Sequence, residues 1–405
     1  MDKQPALNIG LVGHIDHGKT TLLYQLTGVW ADKHSEELRR GITIKLGYAD
    51  AIIRKCESCG ILTTKSRCEK CKGETKPLRW VSFVDAPGHE MLMATMLGGA
   101  AIIDAAILVI AANEPFPQPQ TKEHLLALKA KGINQIIVAQ NKIDLVKKEQ
   151  ALEQYLKIKE FMHKILGKEV PIVPVCAQQG INIDALLEEI LKLKVPERDT
   201  KSKPLFLVAR SFDINKPGTE IKDLAGGVLG GTLKKGKLKV NDKIEIKPGI
   251  AIKKHDITEY KTIKTKVVEI RAGSKKLDEA FPSGSLAIQT ALDPSLTKAD
   301  SLAGCVVGLE NELPEITYKM KIKTNLFEEI VGAKEKQIKV EPIKTNEFLL
   351  LSVNTAITIG NVLSVKKDTV ELALKIPVVA FSSDRVGIAR NFKGHWRLIG
   401  YGEIL

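Results

Sequence analysis

Gly13-His-Ile-Asp-His-Gly-Lys-Thr20 fits the spacing G-x-x-x-x-G-K-[ST], and what flanks it decides the fold. The apolar run Leu7–Val12 precedes it, and a helical pattern from Lys19 to Leu26 follows. In that context the glycines let backbone N–H groups close around phosphate oxygens, and the helix N-terminus adds its positive end. Lys19 then reaches the β- and γ-phosphates, and Thr20 offers its hydroxyl to Mg²⁺.

Working outward, the same alternation continues to about residue 195. Strand-like runs are expected at Arg79–Val84, Ala106–Ala111, Gln135–Gln140 and Ile172–Val175. Helical patterns lie between and after them, at Glu90–Leu97, Thr121–Lys131, Lys148–Leu166 and Ile183–Leu193. This alternation predicts βαβ units, a mostly parallel sheet and helices on both faces. Ligands of such sheets sit beyond the carboxyl ends of the strands.

Two further motifs fall at those ends. Asn141-Lys-Ile-Asp144 follows the run Gln135–Gln140. A carboxylate at Asp144 accepts from both N1–H and N2–H of guanine, a donor pair that adenine lacks. Asn141 suits the N7/O6 side, and the stem of Lys142 can lie over the ring. Asp85-Ala-Pro-Gly-His89 follows the run Arg79–Val84. There Asp85 is expected to hold Mg²⁺ through water, Gly88 to give its N–H to a γ-phosphate, and His89 to orient an attacking water. Upstream, Thr43 in Arg40-Gly-Ile-Thr43 would complete the Mg²⁺ shell.

Between these motifs lies Cys56-x2-Cys59-x8-Cys68-x2-Cys71, two C-x-x-C knuckles within sixteen residues. Four thiolates can surround Zn²⁺ tetrahedrally, leaving no position open to water, so the metal is expected to be structural. A redox dithiol is the alternative, and the paired knuckles disfavour it. Lys55, Lys65, Arg67 and Lys70 flank the site and offset its negative charge.

Beyond the polar, proline-bearing stretch 195–204 the pattern changes. Short β-branched runs recur between turn residues: Leu205–Ser211, Gly227–Leu233, Lys243–Ile246, Thr265–Arg271 and Ser285–Ala291. After Glu312–Pro314 come Ile316–Lys323, Gln337–Val340, Glu347–Val353, Thr369–Leu374, Val378–Ser382 and Trp396–Gly402. Many strands with few helices predict one or two β-barrels.

Composition limits the class of protein. Hydrophobic residues at 44% and charged residues at 27% suit a folded chain and argue against disorder. The net charge of +13 points to a polyanionic partner. Up to position 200 there are 27 basic and 24 acidic residues, and beyond it 34 and 24, so the surplus sits in the strand-rich half. The stretch Gly98–Ala112 is interrupted by Asp104 and is too short for a membrane span, and no secretion signal is evident, so a cytoplasmic protein with no membrane partner is expected.

The nucleotide motifs, in this order, resemble the translational GTPases, and the resemblance covers the whole chain. It implies an α/β P-loop GTPase domain over 1–200, with a zinc knuckle at 54–76, followed by β-barrel domains at 201–313 and 314–405. Within that superfamily, Arg40–Gly47, Ala111–Thr121, Asn215–Thr219, Gly226–Gly231 and Asp293–Asp300 are similar to the gamma-subunit family of translation initiation factor 2 in archaea and eukaryotes. That resemblance implies a GTPase using GTP, Mg²⁺ and Zn²⁺. Its partners would be alpha and beta subunits in a heterotrimer, initiator methionyl-tRNA and the small ribosomal subunit. It also implies release of the tRNA after hydrolysis.

The nucleotide set carried over is Asp16, His17, Gly18, Lys19, Thr20, Thr21, Asn141, Lys142, Asp144, Cys176, Ala177 and Gln178. Guanine O6 would take the backbone N–H of Ala177. The usual serine is replaced by Cys176, which costs a hydroxyl on the Asp144 side, on the order of 1 kcal/mol. Asp16 and the Gly41 carbonyl are candidates for a second Mg²⁺, with a loop-shaping hydrogen bond as the alternative for Asp16. Tyr48, Arg210, Gly226 and Gly227 are candidates for the tRNA end. Two rivals remain at this stage. An elongation factor of the selenocysteine-specific type would continue into a further domain and lack the cysteine insert. A GTP-binding scaffold without useful hydrolysis would leave His89 without a task.

Overall fold

A computed structural model describes residues 4–30, 45–87, 93–255, 257–330 and 338–405. The chain divides into two compact units, the first built on Met1–Pro196 and the second on Glu197–Glu329 with Lys339–Leu405.

The first unit holds a seven-stranded sheet. In chain order its strands are β1 (Leu7–Val12), β2 (Gly47–Cys56), β3 (Leu62–Thr63), β4 (Thr75–Asp85), β5 (Ala105–Ala111), β6 (Gln135–Asn141) and β7 (Ile172–Pro174). They lie in the order β3-β2-β4-β1-β5-β6-β7. From β4 to β7 the pairing is parallel, and β2 runs antiparallel to β4. Every residue of β1 and β5 is buried, as continuous apolar runs require when helices cover both faces. Those helices are α1 (Lys19–Thr27), α2 (Met93–Gly99), α3 (Pro119–Ala130), α4 (Lys148–Leu166) and α5 (Ile183–Lys192). Leu186, Leu187 and Ile190 turn one face of α5 into the core, where they join Leu22, Leu23 and Leu26 of α1 against the β1 side chains.

Two strands of this sheet were not anticipated, β2 and β3, and β4 begins at Thr75 rather than Arg79. The reason is visible in β2, whose alternating half-buried residues never form an apolar run. Together β2 and the first part of β4 make the stalk that carries the cysteine insert. The helix expected over Glu90–Leu97 is described only from Met93, and residues 88–92 lie outside the described residues.

The second unit contains two closed six-stranded barrels, which follow the sheet-and-helix unit as the sequence predicts. The first uses β8 (Leu205–Phe212), β9 (Val228–Lys235), β11 (Lys243–Lys254), β12 (Ile257–Ala272), β15 (Leu286–Thr290) and β16 (Val306–Leu309). Its strands follow the order β11-β16-β8-β9-β15-β12 and close through β11–β12. The short strand β13 (Lys275–Leu277) extends it beside β12, while β10 (Leu238–Lys239) and β14 (Glu279–Ala280) pair with each other as a separate two-stranded sheet. The second barrel runs β17-β20-β19-β18-β21-β22, from β17 (Thr317–Leu326), β18 (Phe348–Val353), β19 (Ala356–Lys366), β20 (Thr369–Val378), β21 (Arg385–Phe392) and β22 (His395–Ile404). Lys234 Nζ ties the two, donating to Asp384 Oδ1 at 2.8 Å and Asn354 Oδ1 at 3.2 Å.

Several strand boundaries differ from the sequence expectation. The hairpin β11–β12 continues past Pro248-Gly249, because a register shift between Ile246 and Ile250 absorbs the residues that read as a break. β19 and β21 were missed, since Gly360-Asn361 and the polar mixture around Arg390-Asn391 mask their alternation. Gln337–Val340 contributes only a bridge between Glu329 and Lys339, with residue 337 outside the described residues, and Val378–Ser382 is the end of β20 and a turn. No described helix is long and apolar enough to cross a membrane.

Candidate nucleotide site and metal centre

The loops after β1, β4, β6 and β7 all leave carboxyl ends of strands that are neighbours in the sheet, and Leu11 of β1 lies beside Asp85 of β4. After β1, Asp16 at φ 58° and Gly18 at φ 88° turn the backbone through the left-handed region before α1 starts at Lys19. Such turns aim successive N–H groups to one side. Gly13 N–H is held from behind by His124 Nδ1 at 3.0 Å. Lys19 Nζ donates to the His14 carbonyl at 2.6 Å, folding the ammonium over the loop. Thr20 Oγ1 donates to Asp85 Oδ2 at 2.8 Å, and Thr21 follows, partly buried, in the first turn of α1. A hydroxyl beside a buried carboxylate is the hard-oxygen set that Mg²⁺ takes, so the donors present fit that ion.

On the base side the structure adds contacts that the sequence did not show. Asn141 Nδ2 donates to the His17 carbonyl at 2.9 Å, and Asn141 Oδ1 accepts from Ala177 N–H at 2.9 Å. Asn141 therefore braces the phosphate loop against the loop after β7, with its second amide N–H left over for a base. A Cβ on Gly18 would lie 2.4 Å from Asn141 Nδ2, so glycine is required there for space as well as for its dihedral. Lys142 sits at φ 61°, and Asp144 and Gln178 are exposed. Burial, and then hydrogen bonding to the Asp144 carboxylate, push the Cys176 thiol above its ordinary range. The thiol thus meets Asp144 where a serine hydroxyl was expected to be missed.

Three histidines back the phosphate loop. His17 Nδ1 donates to the Val109 carbonyl at 2.9 Å, and its Nε2 stands 3.3 Å from Glu114 Oε2. The Glu114 carboxylate favours the imidazolium, but burial outweighs it and lowers the His17 pKa to about 4. His14 packs edge-on at 5.2 Å and is lowered for the same first cause. His124 is fully buried and falls to about 3, which keeps Nδ1 free to accept from Gly13. Neither His124 nor Glu114 was singled out from the sequence. The one signal was a helix, α3, that buries Gln120, Thr121, Glu123 and His124 beside Leu125, Ala127, Leu128 and Ala130. Gly41, Thr43, Gly88 and His89 lie outside the described residues.

The cysteine insert folds as two equivalent turns. Gly60 N–H bonds the Cys56 carbonyl at 3.0 Å, and Lys72 N–H bonds the Cys68 carbonyl at 2.9 Å. Each knuckle is then closed by a second bond at 2.9 Å, from Cys56 N–H to the Ile61 carbonyl and from Cys68 N–H to the Gly73 carbonyl. The four sulfurs lie within 4.8 Å of one another, with Cys56–Cys71 at 3.3 Å and Cys59–Cys68 and Cys59–Cys71 at 3.6 Å. Four sulfurs at about 2.3 Å from Zn²⁺ would stand roughly 3.8 Å apart, so the donors fit that ion. The Cys59 backbone N–H, first among several causes, draws the Cys56 thiol down to about 6. The Cys71 backbone N–H acts likewise on Cys68. The Cys59 and Cys71 thiols are pushed up, Cys71 to about 12, so the lowered pair holds its charge by drawing on the protons of the other two.

The tRNA-end candidates lie in both units. Tyr48 is on β2, opposite Val84. Arg210 Nε is bound to Asp300 Oδ1 at 2.8 Å, an ion pair that also takes the Ser211 N–H. A Cβ on Gly226 would approach the Thr290 carbonyl to 1.9 Å, and one on Gly227 would meet Thr297 at 2.4 Å. Barrel packing gives both glycines a structural reason, and they stay with Tyr48 and Arg210 as proposed contacts of the tRNA end.

Comparison with known proteins agrees with this geometry. The family described as "Elongation factor Tu GTP binding domain" matches residues 4–196, and "Initiation factor eIF2 gamma, C terminal" matches 318–404. Translation initiation factor 2 subunit gamma of Methanocaldococcus jannaschii is 55% identical over 99% of this chain and 98% of its own length. The subunit gamma of Pyrococcus abyssi is 53% identical over the same shares. Among solved structures, a bacterial selenocysteine-specific elongation factor shares the fold with a TM-score of 0.74 at 24% identity, covering 99% of this chain and 58% of that one. Elongation factor SelB of Methanococcus maripaludis, solved with a GTP analogue, gives 0.71 at 24% identity over 100% of this chain and 79% of that one. Full-length identity above one half, together with a GTPase unit carrying the nucleotide motifs, shows that the chain belongs to the gamma-subunit family of translation initiation factor 2, whose members are GTPases.

Proposed function

We propose that the chain is the GTP-binding core of a cytoplasmic heterotrimer with alpha and beta subunits. It would carry initiator methionyl-tRNA to the small ribosomal subunit while GTP is bound and release it after hydrolysis. The observation that carries this reading is the bracing of the phosphate loop by Asn141 within a chain of this family, because it couples the phosphate side to the base side. The surplus of positive charge supports a polyanionic partner whose binding weakens with salt.

Within this reading Lys19 leaves the His14 carbonyl for the β- and γ-phosphates, with the loop N–H groups of Asp16, His17 and Gly18 around them. Thr20 holds Mg²⁺ directly and Asp85 holds it through water, with Thr43 as a further ligand. When bound, the ion neutralises charge between the phosphates. Asp144 accepts from the guanine edge, Lys142 covers the ring, and the Ala177 N–H is shared between Asn141 and O6. Gly88 gives its N–H to the γ-phosphate, and His89 orients the attacking water. Asp16 with Gly41 stands as a second Mg²⁺ position. Cys56, Cys59, Cys68 and Cys71 hold Zn²⁺ as a structural staple. Tyr48, Arg210, Gly226 and Gly227 remain proposed contacts of the tRNA end.

The test is binding of initiator methionyl-tRNA against methionylated elongator tRNA, with a GTP analogue or GDP and the alpha subunit present. A GTP-dependent preference for the initiator is expected. Equal binding of several aminoacyl-tRNAs would make the chain an elongation-type carrier instead. His89→Ala should abolish ribosome-dependent GTP turnover, and unchanged turnover would remove that residue from the chemistry.

A further inference from the structure

Gln154 is a buried polar side chain on α4, 7% exposed. Its Nε2 donates to the carbonyls of Ala111 at 2.9 Å and Glu114 at 3.1 Å, with Ala112 at 3.4 Å. Its Oε1 accepts from Gln140 Nε2 at 2.9 Å, and Gln140 also donates to the Ala151 carbonyl at 2.9 Å. This bridge leads to the nucleotide site. Gln140 immediately precedes Asn141, the brace of the phosphate loop. Glu114 brings its carboxylate to 3.3 Å from His17 Nε2, and the His17 carbonyl in turn receives Asn141 Nδ2. Hydrogen bonds and chain links therefore run from Gln154 through Gln140 and Asn141 to the His17 carbonyl, while the Glu114 carboxylate stands beside a neutral His17 Nε2 with no proton between them.

We propose that Gln154 is a positioning residue for GTP and GDP, seating Asn141 through Gln140 and, through Asn141, the His17 carbonyl. This rests on the reading of Gly13–Thr20 and Asn141–Asp144 as the nucleotide site. A buried amide with both ends engaged fixes its neighbours, because carbonyls that lose a donor in a dry interior cost the full desolvation of those groups. Helix α4 itself touches no nucleotide-binding residue through this side chain. Its contribution is to hold the strand ends in register while the ligand is bound.

The test measures dissociation of fluorescent GDP from the full chain, with the thermal midpoint recorded alongside. The parent protein must bind GDP; if it does not, the nucleotide-site reading itself fails, whatever Gln154 does. Gln154→Leu should speed dissociation about tenfold, the loss of roughly one hydrogen bond's coupling. Gln154→Glu keeps the shape and the acceptor for Gln140 but loses both donors, and should act similarly. The double variant Gln154→Leu with Gln140→Leu should be no faster than Gln154→Leu alone. Dissociation within twofold of the parent, with only a lower midpoint, would overturn the proposal. Additive effects in the double variant would overturn the route through Gln140. If Gln154→Leu does not fold, Gln154→Glu and Gln140→Leu carry the same comparison.

Discussion

The cysteine insert and the nucleotide cradle are both loops that hold a ligand between backbone turns, yet they are assembled over different ranges. All four thiols come from sixteen consecutive residues, and the bonds that shape each knuckle span four or five residues. The nucleotide cradle is held by bonds spanning 65 residues (Thr20 to Asp85), 111 residues (Gly13 to His124) and 124 residues (Asn141 to His17). A short-range site depends on its metal and little else, because it has almost no core of its own. A long-range site depends on the sheet and helices that bring its parts together. The two should therefore fail independently and by different agents.

Metal removal should produce the largest effect. Cys59→Ser is expected to lose stoichiometric zinc, measured by atomic emission, and to expose the insert to protease. GDP affinity should stay within about twofold. A parallel loss of nucleotide would break the claim that the insert is autonomous.

Acid should do the reverse, loosening the cradle first. His124 is neutral in the fold with a pKa of about 3, against the usual 6.5 when unfolded. A folded pKa below the unfolded one means that the stability is complete above pH 6.5 and is lost as pH falls toward 3. The loss is on the order of 5 kcal/mol across that window. Equilibrium unfolding against pH should show it, and His124→Gln, which keeps an acceptor for Gly13, should flatten the slope. An unchanged slope would remove His124 from the account.

Asp144→Asn probes the cradle's recognition edge. An amide cannot accept both guanine protons, so GTP affinity should fall by about 2–3 kcal/mol while xanthine nucleotides gain. Cys176→Ser sharpens the same edge by the smallest step. The thiol already meets Asp144, so the hydroxyl should tighten GDP by no more than about 1 kcal/mol. A larger gain would mean that the thiol does little for Asp144.

The same contrast explains what the sequence made legible. The zinc set was readable because spacing alone specifies a knuckle. The phosphate loop, Asp85 and Asn141–Asp144 were readable because each pairs a short motif with the end of a strongly apolar strand. The partnership between Asn141, His17 and Ala177 was not, since nothing in the local sequence tells an amide that touches a base from one that braces a loop. His124 and Gln154 were hidden for a similar reason: a polar residue on a helix reads as solvent-facing until the fold turns it inward. In the barrels, strands with clean alternation were found, while β19 and β21 were lost to glycine and asparagine within them.

The sheet order carries one more consequence. Both barrels close on themselves, and the edges of the seven-stranded sheet are β3, two residues long, and β7, three residues ending in Pro174. A long unpaired strand is an invitation to another chain to add itself, the first step toward aggregates. Among the described residues, β3 pairs with β2 only at Arg54 and Lys55, and β7 pairs with β6 only from Val138 to Gln140. Each edge strand by itself offers another chain only two or three residues to pair with.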